Sequence, residues 1–482
     1  MHMAKTLTIV QMNDTHASLF EHGDTRYAPE GFKVETLGGY PRIMTKVKEY
    51  RAQYPGEVLL LDNGDTLHGT YEAVQSKGEV MIPYLKALGV DAMTFHWDAA
   101  YTPKHLKGLE AKLGYPILAV NVYHRDTRDL YFEPTAILER NGLRIGIVGG
   151  ASNIIQKNMP PRFWEGADFT DGIEETREHV KRLRKEGVDL VVVLSHLGYP
   201  QDIALLEQVE GIDLCLSGHT HNRVRSPKKV GEAYIIQSGA LASAIGFLRL
   251  TVQRGKITDI QHEYVLLDRS VKQDRAMLKM LREDEALNAY KAHLDLPVGR
   301  SRIDLHRASS FYGTMDYLLL DAMREATGLP IAFSNGWRYG GAIRKGPLTR
   351  RALYRIVPMD PVLQTAELTG EEMVQMLEDN LESTFSTQPF KQMGGYIKRN
   401  AGLRIYFKLE NPYAQRIQRV FVGKEEVDPA KVYQVVYVTQ QAVPQKVGRK
   451  HKNLNIHAVE AMEQLLRKGP YDRKDLEGYM PV

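Results

Sequence analysis

Cysteine is almost missing from this chain: Cys215 is its one thiol in 482 residues. A lone thiol closes no intrachain disulfide, which excludes a stapled secreted scaffold and a Cys-rich zinc module. Its setting in the apolar run Leu214-Cys215-Leu216 points to inert packing rather than reactivity. Long hydrophobic runs are missing too. None reaches the ~20 residues of a membrane-spanning helix, and no charged-then-apolar leader precedes the first strand, so no membrane insertion is expected. As the sequence stands, a cytoplasmic location is expected. Met1-His2-Met3 reads as a cloning remnant, and the location becomes periplasmic if an export leader was removed. A surplus of one charge is also absent: Lys plus Arg number 63 against 59 Asp plus Glu, and a net charge of +4 leaves no nucleic-acid footprint. The short basic run Arg449-Lys450-His451-Lys452 is expected to be a solvated loop. Internal repeats and low-complexity segments are likewise absent.

What is present is the composition of a globular protein, 43% apolar and 25% charged. The length exceeds one ordinary core and predicts two domains. The first half alternates short apolar runs with helical patterns, the mark of βαβ units and an α/β fold. Its apolar runs stop in a recurring way. Residues 7–11 lead into Asn13-Asp14-Thr15-His16, residues 58–61 into Asp62-Asn63-Gly64-Asp65, residues 191–194 into Ser195-His196, and residues 213–216 into Ser217-Gly218-His219-Thr220-His221. A further polar loop, Thr94-Phe95-His96-Trp97-Asp98, follows a helical segment at 81–88. Taken singly, each is an ordinary turn or helix cap. Placed together at the C-terminal rim of parallel strands, where α/β sheets bind ligands, they offer more nitrogen and oxygen donors than one tetrahedral ion needs. The count points to two metals.

The pattern at 234–252 is strand-like and closes the first domain, at 1–272. Residues 274–294 read as one helix with Met277, Leu281, Leu287, Tyr290 and Leu294 on its apolar face. That gives a linker helix at 273–295 and a second, smaller α+β domain at 296–482. There, helices are expected at 317–326 and after the capping box Thr369-Gly370-Glu371-Glu372, and strands at 403–407, 417–422 and 433–438. Two glycine-rich loops stand out: Trp337-Arg338-Tyr339-Gly340-Gly341-Ala342-Ile343-Arg344 and Gln392-Met393-Gly394-Gly395. Arginine beside aromatics in such a loop can hold an oxyanion or a planar group.

The motifs Asn13-Asp14-Thr15-His16, Gly64-Asp65, Ser195-His196 and Gly218-His219-Thr220-His221 resemble the calcineurin-type dinuclear metallophosphoesterase core of the 5'-nucleotidase superfamily. The resemblance runs on through the second domain. One stretch departs from the nucleotidase pattern Asn-His-Glu-Phe-Asp-Tyr-Gly-Pro, in which His and Asp assist the leaving group. Here it reads His96-Trp97-Asp98-Ala99-Ala100-Tyr101-Thr102-Pro103, so Trp97 stands in the place of the histidine and Ala100 in that of its aspartate. This is similar to the SoxB family of thiosulfohydrolases, whose motif runs His-Trp-Glu-Phe-Thr-Tyr-Gly. Trp337-Arg338-Tyr339-Gly340 and Gln392-Met393-Gly394-Gly395 resemble loops of that family, while Gly340-Gly341-Ala342-Ile343-Arg344 can equally be read against a nucleotidase loop. His68 stands where relatives tend to have Gln.

The resemblance implies a four-layer metallophosphoesterase domain, a β-sandwich flanked by helices, followed by a 5'-nucleotidase-type C-terminal domain that binds substrate. It implies two divalent ions, manganese by resemblance. Asp14, His16 and His221 would hold one, His96, His196 and His219 the other, and Asp65 would bridge. A hydroxide between the ions would attack, Trp97 would floor the site, and Arg338 or Arg344 would orient an anion beside Trp337, Tyr339, Gly394 and Gly395. The implied substrate is a cysteine S-thiosulfonate on a sulfur-carrier protein, and the product sulfate. The chemistry is consistent: an alkoxide leaving group gains from a proton donor, whereas a persulfide anion is weakly basic and can leave without one. A 5'-nucleotidase or other phosphoric ester hydrolase acting on a small phosphate ester is the alternative, and a non-catalytic metal- and anion-binding protein a second.

Overall fold

The structure, a computed structural model, describes residues 4–473, 475 and 478–482; Met1-His2-Met3, read above as a cloning remnant, lies outside the described residues. The chain divides into two compact units. The first takes the chain up to His22 and Thr36–Asn288, and the second takes Gly23–Glu35 and everything from Ala289 onward.

The first unit is a sandwich of two sheets. One has the strand order Lys256–Leu266, Ala244–Gln253, Lys5–Met12, Val58–Asp62, Ala92–Met93, the last three parallel. The other runs Lys228–Val230, Ala233–Ile236, Leu214–Leu216, Leu190–Ser195, Leu143–Gly150, Thr135–Arg140, with a parallel centre. Period-two alternation sorts each strand's side chains. Leu7, Ile9, Leu59 and Leu61 face Leu190, Val192, Leu194 and Leu214 across the inter-sheet core. Val10, Met12 and Leu60 turn outward onto Ile43 and Val47 of helix Tyr40–Gln53. Val191, Val193 and Cys215 turn the other way onto Val180 and Leu183 of helix Ile173–Lys185. The layers are therefore helix, sheet, sheet, helix. Cys215 is fully buried, and burial pushes its thiol well above the usual range, as inert packing requires.

Three expectations are corrected. The rim is not that of one sheet: the Asp14, Asp65 and His96 loops leave the first sheet, and those of His196 and His219 leave the second. The strand-like pattern at 234–252 is two strands in different sheets, Ala233–Ile236 and Ala244–Gln253, and the turn between them is where the chain changes sheet. The helix at 274–294 is two, Arg275–Glu283 and Glu285–Leu294. Asp284 breaks it with an extended ψ of 111° and caps the second helix, accepting the Leu287 N–H at 3.0 Å.

The second unit is α+β. Its five-stranded sheet has the order Tyr396–Ala401, Ile331–Gly336, Val432–Tyr437, Val362–Thr369, Arg449–His457, with helices Thr314–Thr327 and Gly370–Phe385 contributing to its packing. The capping box at Thr369 and Glu372 forms as read. Gly23–Glu35 joins this unit through a bridge from Gly23 to Ala342 and a ring contact from Phe32 to His306, a grouping that no periodicity announces. The basic run at 449–452 is no loop but the start of edge strand Arg449–His457. Its exposed Arg449 and Lys450 pair with Glu367, and charge on a free edge discourages pairing with another chain. Among the described residues, no helix is long and apolar enough to cross a membrane.

Candidate metal centre

Each site loop begins where a buried strand runs out of ladder partners, and the backbone there takes an uncommon conformation. Asp14 (φ 50°), His16 (45°), Asp65 (54°), His219 (70°) and His221 (56°) all lie in the left-handed region. Non-glycine residues pay roughly 1–3 kcal/mol each for that region and keep it only where the surroundings enforce it. The enforcement is visible. Asp14 N–H donates to Gly64 O at 2.9 Å and His16 N–H to Asp65 O at 2.7 Å, locking the first two loops together. Gly64 is indispensable at φ 89°, because a Cβ there would meet Thr94 O at 2.5 Å. Asn63 stitches the two sheets: its Nδ2 donates to Ser195 O at 2.9 Å and Leu216 O at 2.6 Å, while its Oδ1 accepts from Gln11 Nε2 at 2.8 Å.

All seven expected ligands come together, in two groups. Asp65, His96, His196 and His219 form one, and Asp14, His16, Asp65 and His221 the other, with the ligand atoms of each group within 4.8 Å of one another. Asp65 is common to both. Its Oδ2 lies 3.4 Å from His96 Nδ1, 3.4 Å from His196 Nε2 and 3.7 Å from His16 Nε2. Asp14 Oδ1 lies 3.3 Å from His221 Nε2 and 3.6 Å from His196 Nε2.

These residues fit divalent ions. His196 Nδ1 lies 2.5 Å from Asn63 O and His16 Nδ1 3.3 Å from His68 O. A carbonyl only accepts, so Nδ1 carries a proton in each ring and Nε2 is the nitrogen turned to the carboxylates, the atom an ion would take, displacing any proton held there. His196 Nε2 and both ring nitrogens of His96 are buried without a hydrogen bond among the described residues, a cost that protein interiors rarely bear. Burial works against the His196 cation, but Asp65 and Asp14 outweigh it and raise its pKa to about 9. Burial drives His16 down to about 4. Burial also opposes ionisation of Asp65, yet His96, His196 and His16 hold it well below the usual carboxylate range.

Trp97 is half-buried beside this cluster. Its backbone N–H donates to Asp65 Oδ1 at 2.7 Å, its ring stacks on His68 at 4.9 Å, and its edge meets Phe163 at 5.4 Å. His68 is fully buried, and burial lowers its pKa to about 3. In the second unit, Trp337 and Tyr339 are buried with their rings stacked at 5.7 Å and the Arg307 guanidinium over both, Arg338 is half-buried, and Arg344 is exposed. Gly394 (φ 65°) and Gly395 (φ 81°) turn the chain beside this loop, because Gly336 pairs with Tyr396 so closely that a Cβ on Gly336 would meet Tyr396 O at 2.3 Å.

Sequence reasoning missed Asn63, Gln11 and, in the second unit, Arg307, Asp316 and the role of Arg399. Arg307 donates to Asp316 Oδ1 at 2.9 Å, Tyr339 O at 2.8 Å and Ile356 O at 2.7 Å, and Arg399 Nε lies 3.1 Å from the other Asp316 oxygen. No local signal marks a long-range buried ion pair.

Residues 7–223 match the calcineurin-like phosphoesterase family and residues 294–441 the 5'-nucleotidase C-terminal domain. A 5'-nucleotidase of Diplobatis ommata is 23% identical, over 86% of this chain and 77% of its own length. A snake venom 5'-nucleotidase of Naja atra is 24% identical, over 85% and 83%. Among solved structures, the sulfate thiohydrolase SoxB of Thermus thermophilus superposes with a TM-score of 0.91, 24% identity and coverage of 99% of this chain and 96% of that one. A 5'-nucleotidase precursor from the same species gives 0.84 and 24%, with 99% of each chain covered. At such identities the likeness to the structures establishes the fold.

Proposed function

Starting from a metal-dependent hydrolase of the 5'-nucleotidase superfamily, a calcineurin-like phosphoesterase domain followed by a 5'-nucleotidase C-terminal domain, we propose a thiosulfohydrolase that releases sulfate from a cysteine S-thiosulfonate on a carrier protein. The observation that carries this reading is Trp97. Where the nucleotidase pattern has a proton-donating histidine, this chain has an indole packed against His68 and Phe163.

Asp14, His16 and His221 would hold one divalent ion, His96, His196 and His219 a second, and Asp65 both; we assign manganese. Bound there, the pair would supply nucleophilic water at neutral pH and neutralise charge on the oxygens of an anionic substrate. The chain's own part is to keep Asp65 and Asp14 ionised, to present Nε2 of His16 and His196 by holding Nδ1 protonated, and to close one side of the site with Trp97. Attack at the sulfonate sulfur forms an S–O bond and breaks the S–S bond. The electron pair stays on the persulfide sulfur, a weak base that departs unprotonated, so no general acid is needed.

A phosphoric monoester hydrolase is the second reading, favoured by the relatives named 5'-nucleotidase and by the imidazole of His68 against Trp97. The assay that separates the two offers the manganese-loaded protein an S-sulfonated thiol, AMP and p-nitrophenyl phosphate. Sulfate release with little phosphate release is expected. Rapid turnover of AMP with no sulfate release would overturn the proposal.

A further inference from the structure

Asp98 takes no part in the chemistry above, yet it is fully buried two residues after His96. Each of its oxygens accepts two backbone N–H groups. Oδ2 takes those of Asp65 at 2.8 Å and His96 at 3.2 Å. Oδ1 takes those of Thr66 at 2.9 Å and Leu67 at 2.7 Å. Three consecutive amides, 65 to 67, thus converge on one carboxylate as the amides of an anion-binding nest do. The first belongs to the residue shared by both ligand groups, held in the left-handed region at φ 54°. The fourth amide belongs to another ligand, His96. The Asp65 side chain is fixed separately, by Trp97 N–H on Oδ1. That leaves Asp65 Oδ2 directed at the histidines.

We propose that Asp98 is a positioning residue of the metal centre: its carboxylate ties the Asp65 loop to the His96 loop and sets both ligands in place before any ion binds. The inference rests on the dinuclear reading and deepens it. It also accounts for an acidic residue here when the rest of the stretch, Ala99 and Ala100, departs from the related motifs. Only a carboxylate suffices. Whichever way the amide of an asparagine turned, its NH2 would face two N–H donors that make no other hydrogen bond among the described residues, so Asp98→Asn leaves two buried amides unsatisfied.

The test compares the full-length wild type, Asp98→Asn and Asp98→Glu by manganese titration and by the exchange-coupled electron paramagnetic resonance signal of a manganese pair. It adds amide hydrogen exchange of the metal-free wild type. Wild type should bind two ions and give the coupled signal. Asp98→Asn should lose the coupled signal and bind the second ion roughly 10–100-fold more weakly, the usual effect of removing an outer support of a ligand. Asp98→Glu should restore the signal. In metal-free wild type, the amides of residues 65–67 should already be protected. An Asp98→Asn protein that binds both ions with wild-type affinity would overturn the inference, and so would free exchange of those three amides in the metal-free wild type, a result that holds even if the variant does not fold. Absence of a second ion in the wild type would instead sink the dinuclear reading, while the exchange data would still decide what Asp98 does.

Discussion

The loops around Asp65 and those around Trp337 are both glycine-bearing turns beside strands, but they hold their polar groups in opposite ways. In the first unit the ligands themselves adopt the left-handed conformation, and His96 and His196 keep buried nitrogens without hydrogen bonds among the described residues. In the second unit glycines take the unusual conformations, and Arg307 and Arg399 pair with the Asp316 carboxylate and donate to nearby carbonyls. Strain in some ligands and unbonded ring nitrogens in their neighbours, gathered in one cluster, mark a place built for a ligand. Opposite charges paired without strain in their own backbone mark a scaffold that supports a neighbouring loop.

The comparison breaks most sharply at Asp65. Asp65→Ala removes the residue common to both groups and should lower turnover at least ~1,000-fold and bring bound manganese below two equivalents, read by elemental analysis; retention of both ions and activity would show that the strained loop is only structural. Next comes the scaffold. Asp316→Ala strands two buried guanidinium groups and should cost about 3–5 kcal/mol in urea unfolding, with manganese content unchanged. A change in metal uptake instead of stability would reverse the contrast drawn above.

A smaller effect separates the two candidate arginines. Arg338, half-buried in the glycine-rich loop, should matter more than exposed Arg344. Arg338→Ala is expected to raise KM on the order of tenfold, as loss of a charge-assisted hydrogen bond does, and Arg344→Ala to leave KM near wild type, both by initial rates. An effect on stability alone concerns Lys398 in the strand beside Trp337. Burial lowers its pKa to about 8 from the ordinary 10.5. A lysine whose folded pKa is depressed resists protonation in the folded state, so stability falls as pH drops from about 10.5 to about 8 and is level below that. The melting temperature of Lys398→Met relative to wild type should therefore rise over that window as pH falls, measured by thermal denaturation at fixed ionic strength; a constant difference would mean that Lys398 is neutralised by a neighbour.

Much of the first unit was legible because its signals are local. Apolar runs such as 58–61 and 191–194 became buried strands, and the seven expected ligands in the loops reached the cluster. What the pattern concealed was that these ends belong to two sheets, since a buried strand reads the same in either. Asn63, which joins the sheets, looked like part of a turn. Asp98 looked like a departure from a motif, because its four donors are backbone groups that carry no residue signature. In the second unit the glycine loops were visible, but the Arg307 and Asp316 pair beneath them was not. The break at Asp284 was missed for a different reason: the apolar spacing continues across it, and only the extended backbone and the cap on Leu287 divide the helix.

By itself, then, the sequence determined the supply of donors: imidazoles and carboxylates placed just past the ends of buried strands, with glycine at Gly64 to permit the turn. Composition and strand ends are properties of neighbouring residues, so they can be read along the chain. Tertiary structure alone decided which oxygen faces which ring, which nitrogen of His16 and His196 holds the proton, and which carboxylate steadies Asp65. Those outcomes pair groups from separate strands, and they depend on the register and stacking of two sheets.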